Sequence, residues 1–83
     1  MTEEEAWLLQ MECTRFFQNN PYSMETAEGI SLRLGRKVEH LSPVLGRLVM
    51  LSILEKVGNG SRSIYRYIEP NFNGDMDVQW NIN

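Results

Sequence analysis

The spacing of apolar residues changes along the chain from helical to strand-like, and each change marks an element. Ala6, Leu9, Cys13, Phe16 and Phe17 recur at three- and four-residue intervals and form one arc of a first helix. Trp7, Leu8 and Met11 form a second arc on another side, which needs a cover of its own. Thr2 and Glu5 have the spacing of a capping box, with Glu3 and Glu4 beside the positive end of the helix dipole. Asn19-Asn20-Pro21 then stops the helix near Gln18. Residues 22–24 read as a short strand. Thr26 is a good N-cap for a second helix over residues 27–34, where Ile30 and Leu34 lie four apart, and Gly35 ends it.

In the third helix, Val38, Leu41, Val44, Leu45, Leu48 and Val49 share one arc. That continuity predicts a start at Val38, with Pro43 inside the first two turns. The competing start is Ser42-Pro43, a good N-cap and first-position pair. Residues 53–57 and 63–68 are strand-like and flank Gly58-Asn59-Gly60, a hairpin signal. In the returning strand Tyr65 and Tyr67 fall on one face, and Ile64, Arg66 and Ile68 on the other. Beyond Pro70, Met76, Val78, Trp80 and Ile82 alternate with polar residues, the period of a half-buried strand. The pattern as a whole predicts an α+β fold, with one domain over residues 1–70 and a strand-like tail over residues 71–83.

The chain is 83 residues long, so its core is small and would gain from a second subunit or a docked tail. A single cysteine, Cys13, forms no internal disulfide, and no apolar run approaches the ~20 residues of a membrane span. The acidic start is the opposite of a basic signal-peptide start. These features predict a cytoplasmic protein with no membrane contact.

Charge changes the picture more than composition does. The net charge is −3, yet residues 29–68 hold seven basic side chains (Arg33, Arg36, Lys37, Arg47, Lys56, Arg62, Arg66) against Glu39 and Glu55, a local net of +5. The first 28 residues carry six glutamates and one arginine, a net of −5. Screening limits charge interactions to about 8–10 Å, so the local excess decides what is attracted at short range. An anionic partner, and double-stranded DNA in particular, is the leading expectation.

The stretch TAEGISLRLGRKVEHLSPVLGRLVMLSILEKVGNGSRSIYRYIEP resembles the winged-helix superfamily of helix-turn-helix domains, common among small microbial transcription regulators. Thr26-Ala27-Glu28 opens the positioning helix and Leu34-Gly35 marks the turn. Leu41, Leu45, Leu48 and Leu51 fall on the buried side of the recognition helix, and residues 53–58 look like the strand entering the wing. The resemblance implies three helices plus a C-terminal hairpin wing. It also implies that the third helix enters the major groove and that wing arginines touch the backbone.

The residues expected at DNA are Arg36, Lys37, His40, Arg47, Arg62 and Arg66. The third helix is a poor base reader, because its predicted solvent face (Glu39, His40, Pro43, Gly46, Arg47, Met50) offers one side chain of the Arg, Lys, Asn or Gln type. An alternative function follows from that weakness: a protein-interaction adaptor using the acidic, aromatic first helix and the tail. Trp7, Leu8 and Met11 need a cover, and Met76, Val78, Trp80 and Ile82 need a surface. The tail folding back, a homodimer across a two-fold axis and a site for another protein would each answer both needs; the homodimer is favoured.

No catalytic role is expected. One histidine and one cysteine with no spacing signature make no nucleophile–base pair. No cofactor or metal is expected either. Gly58 and Gly60 join two strands and open no helix, and Ile82 stands where a calcium loop needs a bidentate glutamate.

Overall fold

In a computed structural model of the chain, described over residues 1–70, three helices enclose a core closed by a small antiparallel sheet. The order is α1 (Glu3–Asn19), β1 (Met24–Glu25), α2 (Ala27–Leu34), α3 (Val38–Met50), β2 (Leu54–Val57) and β3 (Ile64–Tyr67). The sheet runs β1-β3-β2, so β3 is central and pairs antiparallel with both neighbours. The predicted tail strand, with Met76, Val78, Trp80 and Ile82, lies outside the described residues. Among the described residues no helix is long and apolar enough to cross a membrane.

The helix boundaries follow the capping signals. The Thr2 hydroxyl accepts from the Glu5 amide at 3.1 Å and the Glu5 carboxylate accepts from the Thr2 amide at 2.9 Å, so two of the first-turn donors are satisfied. These hydrogen bonds hold the Glu5 carboxyl below its ordinary value. The Thr26 hydroxyl caps α2 through the Gly29 amide, and Gly35 closes the helix in the left-handed conformation at φ 66°. The early start of α3 holds: Lys37 is the N-cap, and the His40 and Leu41 amides bond to its carbonyl. Burial favours the early start, because Leu41, which precedes Ser42-Pro43, is fully buried in the core. Pro43 lies inside the helix, on its exposed side, where it removes the amide that Glu39 would otherwise receive.

Three sequence expectations need correction, and one of them is Leu51: expected on the buried side of the third helix, it is the C-cap and is exposed. The first strand is Met24–Glu25 rather than residues 22–24. Its register is set by β3, with Met24 opposite Arg66 and Glu25 opposite Tyr65. The hairpin runs as expected, its connection one residue longer than the residues 58–62 left between the two strands read from the sequence. Val57 pairs with Ile64, and the intervening residues include a 3-10 turn, Gly60–Arg62. Ser63 is buried there, and its hydroxyl donates to the Gly60 carbonyl at 2.8 Å. His40, placed on the solvent face of the third helix, is instead half-buried on its flank.

The core joins Leu9, Cys13 and Phe17 of α1 to Ile30 of α2, to Leu41, Val44, Leu45 and Leu48 of α3, and to Leu54 and Tyr65 of the sheet. Each buried set sits at the helical or strand period seen in the sequence. After α3 the chain reverses through Leu51 and Ser52, and the Ile53 amide bonds to the Leu48 carbonyl at 2.9 Å. Ser52 holds φ 61°, a left-handed conformation that disfavours a side chain. Ser52→Gly is therefore expected to stabilise the fold by about 0.5–1 kcal/mol, since glycine adopts this conformation without strain but has more chain entropy to lose. A urea titration checks it; a Ser52→Gly midpoint at or below that of the native chain counts against strain at this turn.

Candidate nucleic-acid interface

The six basic residues expected at DNA occupy different parts of the surface. Arg36, in the turn between α2 and α3, is held by α1: its guanidinium donates to both carboxylate oxygens of Glu12 at 2.9 and 3.1 Å. Arg66 on β3 pairs with Glu55 on β2 at 3.0 Å, directly across the strands. These two share the outer face of the sheet with Met24, Tyr22 and Ile68, in a shallow groove. Arg33, whose charge could equally have served the α2 dipole, bonds Glu25 at 3.0 Å and lies over the Phe16 ring.

Lys37, Arg47, Lys56 and Arg62 make no ion pair among the described residues. All four are exposed: Lys37 and Arg47 belong to the start and last turn of α3, and Lys56 and Arg62 belong to the hairpin. Counting Glu12 and Glu25 with their arginines lowers the local excess from +5 to +3, which is what those four cations and Glu39 leave.

His40 and Arg47 sit on the flank of α3 that faces the N-terminal half of α1. Together with Pro43 and Val44 they line an open groove, whose opposite wall is Ala6, Trp7 and Gln10. Glu3, Glu4 and Glu39 also line it. Trp7, assigned from sequence to an interface, and His40 and Arg47, assigned to DNA, thus belong to one groove. Sequence reasoning did not assign Glu3, Glu4 and Gln10 to it. Their helical spacing on the edge of α1 beside the core arc was a legible signal, but the partner of that edge was not.

The exposed side of α3 itself is formed by Glu39, Ser42, Pro43, Gly46, Arg47 and Met50. Gly46 has open space where a Cβ would stand, so nothing within the fold requires glycine. A glycine inside a helix costs about 1 kcal/mol relative to alanine.

Ionisation follows burial and pairing. Burial pushes the Cys13 thiol up to about 12, which fits a core residue and not a nucleophile. The hydrogen bonds from Arg36 hold the Glu12 carboxyl below its ordinary value and raise Arg36 in turn. The sign for stability follows from Glu12. Its folded pKa is depressed, so the pair contributes in full above the unfolded value of about 4.3, and the contribution is lost as pH falls through the folded value. Glu12→Gln is expected to reduce the acid-side loss of stability, measured as the melting midpoint against pH from neutral to about 3. Parallel curves for the two proteins would mean that this exposed pair contributes nothing.

Comparison with protein-family models, with curated proteins and with solved structures finds no match to this chain.

Proposed function

We propose that this chain is a winged-helix domain that binds double-stranded DNA and acts as a small regulator, with the exposed side of α3 in the major groove and the β2–β3 hairpin along the backbone. The observation that carries the reading is the distribution of uncommitted cations. Among the described residues Arg33, Arg36 and Arg66 are tied to carboxylates, whereas Arg15, Lys37, Arg47, Lys56 and Arg62 are not; Arg15 lies on α1, and the other four lie at the start of α3, on α3 and in the hairpin. The layout of three helices and a β1-β3-β2 sheet is compatible with that fold. Gly46, Ser42 and Pro43 keep the exposed side of α3 slim enough for close approach. Most of the affinity would come from phosphate contacts, because Arg47 is the one long side chain on that side able to form paired hydrogen bonds to a base edge.

The test is fluorescence anisotropy of a mixed-sequence duplex titrated at several salt concentrations. Four phosphate contacts predict a slope of log K against log[salt] of about −3 to −4, and Arg62→Ala is expected to reduce it by about one unit. Absence of binding at about 20 mM salt would overturn the reading.

A second reading is favoured by the groove between α1 and α3. Glu3, Glu4 and Glu39 would repel phosphate there, while Trp7 and Pro43 offer apolar contact. This is the surface of a protein-interaction adaptor, and it gains if the duplex does not bind.

A further inference from the structure

The exposed side of α1 carries a pattern that neither the core nor the basic surface explains. Glu4, Leu8, Met11 and Arg15 are spaced by four, three and four residues, and Gln18 extends the row by three. That alternation is the seam of a coiled coil. These five side chains are exposed, on a different side of the helix from Leu9, Cys13 and Phe17, which face the core. The middle of the seam is apolar, with Leu8 54% and Met11 43% exposed, and Trp7 at 57% flanks it. Its two ends carry opposite charges. Glu4 and Arg15 make no ion pair among the described residues, and eleven residues of helix hold them about 16 Å apart, too far to pair with each other.

The seam is complementary to itself in one orientation. When a second α1 runs antiparallel about a two-fold axis between Leu8 and Met11, Leu8 faces the second copy's Met11 and Met11 faces its Leu8. Glu4 then meets Arg15 and Arg15 meets Glu4. A parallel pair would instead stack Glu4 on Glu4 and Arg15 on Arg15, which is repulsive. We infer that two copies of this chain associate through an antiparallel α1–α1 seam, with Leu8 and Met11 at its centre and Glu4–Arg15 pairs at its ends. A helix pair of this length buries less than the roughly 1,200 Å² of a stable interface, so the dimer is expected to dissociate at concentrations on the order of micromolar. This inference does not rest on the DNA reading, since neither α3 nor the hairpin takes part.

The full chain serves for the test, by sedimentation equilibrium from about 1 μM to about 1 mM. Glu4→Lys and Arg15→Glu each make both symmetric charge pairs repulsive, and each is expected to weaken self-association about tenfold or more. An equimolar mixture of the two variants is expected to associate again. The introduced lysine of one then faces the introduced glutamate of the other, and the native Arg15 faces the native Glu4. Leu8→Asp is expected to abolish association in every background while leaving the melting of dilute protein unchanged, because Leu8 is outside the core. A native chain that remains monomeric to about 1 mM overturns the proposal. So does single-variant association as tight as the native one, or a mixture that fails to recover; either result would assign the seam to the tail or to a different protein.

Discussion

Phe17→Ala is expected to remove most of the stability of this protein. Phe17 is fully buried near the C-terminal end of α1 and meets the Phe16 ring edge-on, with centroids 5.0 Å apart and an interplanar angle of 79°. Truncating a buried phenylalanine costs about 3–5 kcal/mol through lost transfer energy and the cavity left behind. A chain of 83 residues has a total stability of roughly 4–12 kcal/mol, so the loss is a large fraction of the whole. The melting temperature should fall by at least about 15 °C in a circular-dichroism scan. Cys13 gives a second readout. Its thiol is fully buried, so a thiol reagent that ignores the native protein should label the variant readily. Leu32→Ala is the control, since Leu32 is exposed on α2, and its effect should stay within about 0.5 kcal/mol. If Phe17→Ala melts within a few degrees of the native chain, α1 does not share one core with α3, and the groove between them loses its basis.

Arg47→Glu is expected to lower duplex affinity by about ten- to a hundredfold at low salt, with a loss of stability of no more than about 1 kcal/mol from the reversed charge in the last turn of α3. Arg47 is exposed and makes no ion pair among the described residues, so the fold does not depend on it. Reversing its charge removes one phosphate or base contact and adds repulsion at the same place. Glu39→Gln, on the same side of α3, should act in the opposite direction, raising affinity by a few fold, because it removes a carboxylate from the approach. Opposite signs from two neighbouring substitutions are hard to obtain from a structural disturbance. If Arg47→Glu binds as the native chain does while Arg62→Ala weakens binding, the hairpin makes the contact and α3 does not. If neither variant differs from a native chain that binds, the DNA surface lies elsewhere on the molecule.

Much of the fold was legible because its signals are local. A capping box, an N-cap threonine, a left-handed glycine and a six-residue apolar arc act within one or two helical turns. Each of them therefore named its element from neighbouring residues alone. The position of β1 was not legible in this way. A strand of two residues, Met24–Glu25, is defined by which residues of β3 it meets, and Tyr22-Ser23-Met24 is about equally suited on propensity. The hairpin was legible: the glycines at 58 and 60 both take positive φ, and the strands meet within one residue of the bounds read from the sequence.

The candidate site divides along the same line. Sequence alone determined the number and order of helices, the main buried arc of each, the hairpin, and the concentration of basic residues between positions 29 and 68. These follow from periodicity and local hydrogen bonding, which a chain expresses wherever it is placed. Tertiary structure alone decided which charges are committed. Glu12 is 24 residues from Arg36 and nevertheless binds it through two hydrogen bonds, and Glu25 reaches Arg33 across the start of α2. It also brought Trp7 beside His40 and Arg47, and left Leu8 and Met11 facing outward between Glu4 and Arg15. The physical reason is that a charge acts over a few ångströms of space. Two residues can be near in space at any separation along the chain, and packing of the helices sets that distance.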